Sequence, residues 1–218
     1  ITEGLVGSEM CIRDRVITGV LMISTVPVMI ILFSSLLRIE KTNLFQIIGV
    51  FLSLTGVFFI ITKANLNNLL NLSFNKGDIF ALIAMFAWSL YSALLKKKEF
   101  NLSPISLLQV VITFGVIFLI PMYFIDYSLG SVIKLQSSFY LVLFYVVFFP
   151  GLISFLFWIK GVKLIGANRS GVFLHLMPIL GAIMAMIIFN EKILFYHFLG
   201  AIFIIAGITV SNKKTQNA

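Results

Sequence analysis

Seven apolar runs of about twenty residues, with almost no charge inside them, constrain this chain more than any other feature. They lie at Val16–Leu37, Leu44–Thr62, Ile79–Leu95, Pro104–Ile125, Ser138–Ile159, Ser170–Phe189 and Ile193–Ser211. A helix rises about 1.5 Å per residue, so about twenty apolar residues cross the roughly 30 Å of hydrocarbon in a bilayer. A membrane β-barrel would instead show segments of about ten residues alternating in polarity. Composition agrees: 60% of residues are hydrophobic and 11% charged, against about 45–50% and 25% in an ordinary soluble domain. The runs predict an all-α membrane protein, a polytopic bundle with seven transmembrane helices.

The formal charge of +8 would suggest nucleic acid in a soluble protein. Here the bases fall in short clusters between the runs, where membrane topology explains them and a nucleic-acid partner is not needed. Seven spans put successive loops on alternate sides. One side then collects Arg38, Lys41, Lys96, Lys97, Lys98, Lys160, Lys163, Arg169, Lys213 and Lys214, and the other Lys63, Lys76, Lys134 and Lys192. The bias of basic residues toward the cytoplasm predicts a cytoplasmic C-terminal tail, residues 212–218, and an extracytoplasmic loop at residues 63–77. It implies a multi-pass protein of a cell membrane, plasma or inner. Cys11 is the one cysteine, which excludes an internal disulfide framework or a multi-cysteine metal site.

Residues 1–15, ITEGLVGSEMCIRDR, read differently from the rest: they mix polar and apolar types and fit no span. GLVGSEMCIRDR resembles a translated sequencing-adapter read-through, so the segment is set aside as a non-native scar. The alternative is a divergent natural loop.

A shift of 151 residues lays TVPVMIILFSSLLRIEKTNLFQIIGVFLSLTGV over LMPILGAIMAMIIFNEKILFYHFLGAIFIIAGI without a gap. The identities are Pro27/Pro178, Glu40/Glu191, Lys41/Lys192, Gly49/Gly200 and Gly56/Gly207. These residue types are rare enough in a membrane protein to signal duplication. Each proline can kink its span and free a carbonyl. The glutamates come in the turn at the start of a helix, where the dipole favours an anion. Two glycines seven apart share one face and allow close approach of a neighbour. Charge puts Glu40 on the basic side and Glu191 on the other, so the two hairpins are inverted. Inverted repeats are a transporter architecture with the site near the midplane.

GDIFALIAMFAWSLYSALLKK and WIKGVKLIGANRSGVFLHLMPILGAIMAMIIFNEK carry a family resemblance. From Val16 to about Asn212 the chain resembles the EamA-type branch of the drug/metabolite transporter superfamily. That resemblance implies ten helices in inverted five-helix repeats, cytoplasmic termini and a central cavity for small metabolites. Seven of those ten helices are present. Residues 16–62 correspond to the last two helices of the first repeat, and residues 78–211 to a complete second repeat. About three spans are expected to precede Val16.

Candidate substrate contacts are few. His175 is the one ionisable side chain well inside a run, three residues before Pro178. Such groups point to function, although a neutral histidine bonded between helices is a common alternative. Its repeat mate is Ser24. Trp88 and Tyr91 stand mid-span one turn apart, deeper than an interfacial belt, and Gln109 with Thr113 forms a weaker polar stripe. Trp158 and Lys160 read as belt and anchor. No Walker loop, metalloprotease motif or Gly-rich nucleotide turn occurs, so no enzyme, cofactor or metal is expected.

The sequence therefore predicts a permease for a small-molecule substrate, for export or uptake, moving it by alternating access across the lipid bilayer. A homodimer is compatible with such a bundle. The alternatives are a structural or signalling bundle, or a fragment without transport. The predicted orientation is checked with cysteine labelling: Lys213→Cys should resist a membrane-impermeant thiol reagent in intact cells, and Asn67→Cys should react.

Overall fold

The expected helices form where the apolar runs lie. The structure, a computed structural model, describes residues 2–62, 76–97, 102–128, 137–189 and 194–213. Helix α1 covers Thr2–Leu36, α2 Leu44–Thr62, α3 Lys76–Lys97, α4 Pro104–Ser128 and α5 Ser137–Val146. A π-helical segment, Val147–Ser154, leads into α6 (Phe155–Ile165). Then come α7 (Ala167–Val172), a 3-10 turn at Phe173–Leu176, α8 (Met177–Phe189) and α9 (Phe195–Ser211). Six stretches are long and apolar enough to cross a membrane; Phe195–Ser211 is apolar but shorter. The protein is an all-α polytopic membrane bundle.

Three boundaries differ from expectation. The α1 backbone is helical from Thr2, because a mixed segment without proline can extend a helix beyond its apolar part. Helix α3 starts at Lys76, inside the expected 63–77 loop. The segment KGVKLIGANR, expected as a loop after Ile159, is helical on both sides of Gly166. Lys160 and Lys163 can sit on a helix end because their long stems carry the charge outward. Gly166 alone makes the turn, at φ +93°, a conformation in which a Cβ is strained. Glu191 and Lys192 lie outside the described residues.

Backbone contacts divide the chain into two units, Ile1–Lys97 with Ile165–Ala218, and Lys98–Leu164. In the second, Ser103 accepts the Ser106 N–H at 3.1 Å and so caps α4, the usual task of serine there. The π segment surrounds Pro150, whose missing N–H interrupts the regular ladder.

In the first unit α1 packs on α3 and α7, and α2 packs on α9. The α2–α9 contact is backbone to backbone. A Cβ on Gly49 would lie 2.5 Å from the Gly207 carbonyl oxygen, and one on Gly56 2.5 Å from that of Gly200. Cβ atoms on Gly200 and Gly207 would meet Gly56 and Gly49 in return. Residue numbers fall on one helix as they rise on the other, so α2 and α9 are antiparallel. Gly49 and Gly200 are repeat mates, as are Gly56 and Gly207, so each contact is the mirror of the other under exchange of repeats. A self-complementary contact of this kind is the mark of two-fold symmetry. In lipid, where apolar side chains gain little by leaving the solvent, such close approach is what holds helices together.

The turn between α1 and α2 is closed by its own residues. Ile39 N–H bonds Ser34 O at 2.8 Å and Arg38 N–H bonds Ser35 O at 3.1 Å, with Arg38 left-handed at φ +51°; this is a Schellman cap. At the start of α2, Gln46 Oε1 accepts the Asn43 N–H at 3.1 Å and Asn43 Oδ1 accepts the Phe45 N–H at 3.4 Å.

Two glycine substitutions separate close packing from generic helix effects. Gly56→Ala puts a methyl where no space exists and should lower stability by about 1–3 kcal/mol. Gly115→Ala, with nothing within 4 Å, should be neutral. Thermal unfolding in detergent, followed by circular dichroism, measures both.

Candidate functional site

His175 sits in the 3-10 turn immediately before α8 and is fully buried. Its Nε2 lies 3.0 Å from the backbone oxygen of Ser24. A carbonyl only accepts, so Nε2 carries the proton and donates. Its Nδ1 lies 2.5 Å from the hydroxyl of Ser53 on α2; in the neutral ring that nitrogen is the acceptor. Ser24 precedes the buried Pro27 by three residues, and a proline ring crowds the carbonyls of the preceding turn. His175 therefore bonds the carbonyl next to that of Ile23, the one that loses its helical donor at Pro27. Ser24 and His175 are also repeat mates. Mates can touch each other only at the symmetry axis, so this pair marks where the axis runs. The Ser24 hydroxyl turns back to Val20 O at 2.7 Å.

Glu40 corrects the sequence reading. It was expected to serve the dipole of the helix that follows it, α2. Asn43 and Gln46 perform that task locally. The Glu40 carboxylate instead reaches the other repeat, where Oε1 accepts the Ala167 N–H at 3.0 Å and Oε2 the Asn168 N–H at 3.3 Å. These are the first N–H groups of α7, which have no partner within their own helix. A Cβ on Gly166 would come within 2.6 Å of Glu40 Oε1, so glycine is required there for both backbone angle and space.

Trp88 and Tyr91 on α3 are half-buried with ring centroids 5.7 Å apart. The Tyr91 hydroxyl is buried and meets no hydrogen-bond partner. The same holds for Ser34 Oγ on α1 and for the Asn168 amide and Ser170 Oγ on α7. Helices α1, α3 and α7 pack on one another, so these four groups lie on neighbouring helices, while two further unsatisfied hydroxyls, of Thr42 and Ser211, lie outside them. Gln109 belongs to the second unit and is exposed. Structure thus brings Ser24 and His175 together, pairs Trp88 with Tyr91, and keeps Gln109 in a separate unit. Sequence reasoning missed Ser53, Asn168 and Ser170. Asn168 lay in the expected loop and Ser170 at the first position of the expected span, and Ser53 falls opposite the apolar Ile204 in the repeat alignment. A signal for Asn168 existed: an amide next to a glycine at the edge of an apolar run.

A model of the EamA-like transporter family matches residues 75–213. The chain belongs to the EamA-like transporter family. Among its curated EamA-type relatives, the uncharacterized transporter YyaM of Bacillus subtilis is 22% identical over 211 residues, covering 93% of this chain and 69% of the relative. The uncharacterized transporter YetK of the same species is 29% identical, covering 89% of this chain and 60% of the relative. An uncharacterized transporter of Archaeoglobus fulgidus is 26% identical, covering 80% and 60%. The chain thus spans about two thirds of the length of these proteins. No solved structure gives a significant match. The EamA match contains Gly166, Asn168, His175, Pro178 and the α9 glycines, while Ser24, Glu40 and Ser53 precede it.

The carboxylate cap has a graded test. Glu40→Ala should cost about 0.5–2 kcal/mol of stability, the usual loss for an N-terminal cap. Glu40→Gln should cost less, since one amide oxygen still accepts. Gly166→Ala should destabilise even in the Glu40→Ala background, because the strained φ remains. Denaturant unfolding in detergent would reveal the order.

Proposed function

We propose that this protein moves a small metabolite across a cell membrane by alternating access, the two repeats rocking about the axis marked by Ser24 and His175. The single observation that carries the proposal is the contact of these repeat mates, a polar pin inside an apolar bundle. Inverted repeats that meet at kinked helices supply two equivalent packings, and a site between them opens to either side in turn. The apolar helices of this chain would form part of such a permease, with the basic ends of the helices and residues 212–218 in the cytoplasm.

The proposed substrate contacts are Trp88 and Tyr91, joined by Asn168 and Ser170. Their aromatic faces and unsatisfied polar atoms suit a small polar or amphipathic molecule. His175 and Ser24 are the groups whose bonds would change when the repeats move. In the conformation described both ring nitrogens are engaged, so a substrate reaches His175 only in a second conformation. Gln109 is a further candidate in the second unit.

Counterflow in proteoliposomes, with the chain extended to the length of its relatives, tests transport and substrate together. His175→Ala is expected to reduce counterflow while the protein stays folded and inserted. Unchanged transport with a lowered melting temperature would assign the ring to packing. Tyr91→Phe should raise KM for a substrate that bonds the hydroxyl and leave the melting temperature near its original value.

A further inference from the structure

A cleft of about 580 Å³ opens between the 3-10 turn and the C-terminal end of α9. That is within the range of small-ligand clefts, about 300–1,000 Å³. Phe173, Leu176, Ile205 and Ile208 form its walls, and Asn212 and Lys213 stand at its mouth. The walls are apolar and partly open, with Phe173 and Ile205 exposed on the bundle surface. Among the described residues no acidic side chain lines the cleft. The Lys213 ammonium has no ion-pair partner among the described residues and sits 5.9 Å above the Phe45 ring, held by a weak cation–π contact.

We propose that this cleft binds one anionic phospholipid, with an acyl chain along Ile205, Ile208, Leu176 and Phe173 and the phosphate on Lys213 and Asn212. The internal repeat supplies the comparison that favours a lipid of this charge. Shifted by 151 residues, Ile208, Asn212 and Lys213 become Val57, Ile61 and Thr62. All three mates are buried, and Val57 and Ile61 pack with Ile204 and with Val20 and Leu21 in an apolar core. One copy of the same hairpin therefore closes its groove with hydrocarbon, and the other leaves it open under a cation. Lys213 belongs to the basic end of the bundle, where anionic lipids collect and each nearby base contributes about 1 kcal/mol of attraction. The apolar walls suit an acyl chain, and the Lys213 cation at the mouth selects the charge of the headgroup.

The proposal is independent of transport and rests on the cytoplasmic placement of Lys213 expected from the basic residues. Its test uses the full chain in nanodiscs of phosphatidylcholine and phosphatidylglycerol at equal fractions, released into the gas phase for native mass spectrometry. One phosphatidylglycerol should be retained at least fivefold more often than phosphatidylcholine. Lys213→Ala should bring that ratio close to one, while Lys96→Ala should leave it unchanged. Ile208→Trp, which fills the cleft, should remove the retained lipid in a protein whose circular dichroism is unaltered. If Ile208→Trp fails to fold, the Lys213→Ala ratio alone decides. Equal retention of both lipids by the unsubstituted chain would overturn the proposal. So would a ratio unaffected by Lys213→Ala, or displacement of the lipid by millimolar inorganic phosphate, which would mark a simple anion site without an acyl-chain requirement.

Discussion

The contact between α2 and α9 is the constraint from which the rest of this bundle follows. Inside a bilayer, burying an apolar side chain against another gains little over burying it in lipid, so helices associate through close packing and polar bonds. Four glycines let the two backbones approach until any Cβ would collide with a facing carbonyl. Because the four are two pairs of repeat mates, the contact is self-complementary, and it sets the repeats head to tail. Within that arrangement Ser24 and His175 meet, each three residues before the proline of its own repeat.

Polar groups complete the design by crossing between repeats. His175 donates to the Ser24 carbonyl, three residues before Pro27, and meets Ser53. Glu40 leaves its own helix start to Asn43 and Gln46 and accepts the first N–H groups of α7. Each bond satisfies a group that hydrocarbon would leave bare, and each ties one repeat to the other. Among the described residues a few buried atoms stay unsatisfied, those of Tyr91, Ser34, Asn168 and Ser170 among them.

Much of the fold was legible because its determinants are local. A run of twenty apolar residues spans a membrane whatever its neighbours do, and rare residues at a constant separation expose duplication without any structure. His175 stood out for the same reason, as an ionisable group where lipid tolerates few. The role of Glu40 was not legible. Its position in a turn before a helix suggested the nearest dipole, and only the packing of the repeats shows that a more distant helix receives it. Gly166 was hidden similarly: Lys160, Lys163, Asn168 and Arg169 gave the segment a loop's polarity, yet it folds as two helices joined at one residue.

The sequence by itself determined that this chain is a helical membrane protein, that it contains an inverted pair of hairpins, and that it resembles a transporter family. Those properties depend on hydrophobicity, charge and spacing, all of which are read along the chain. Tertiary structure alone decided that repeat mates touch at Ser24 and His175, that Glu40 serves the opposite repeat, and that a cation guards one groove while hydrocarbon seals its twin. Each of these is a relation between residues more than a hundred positions apart, or between two packings of one motif. Spacing along the chain carries no information about which partner a side chain meets when several lie within its reach; the fit of two backbones across four glycines supplies it.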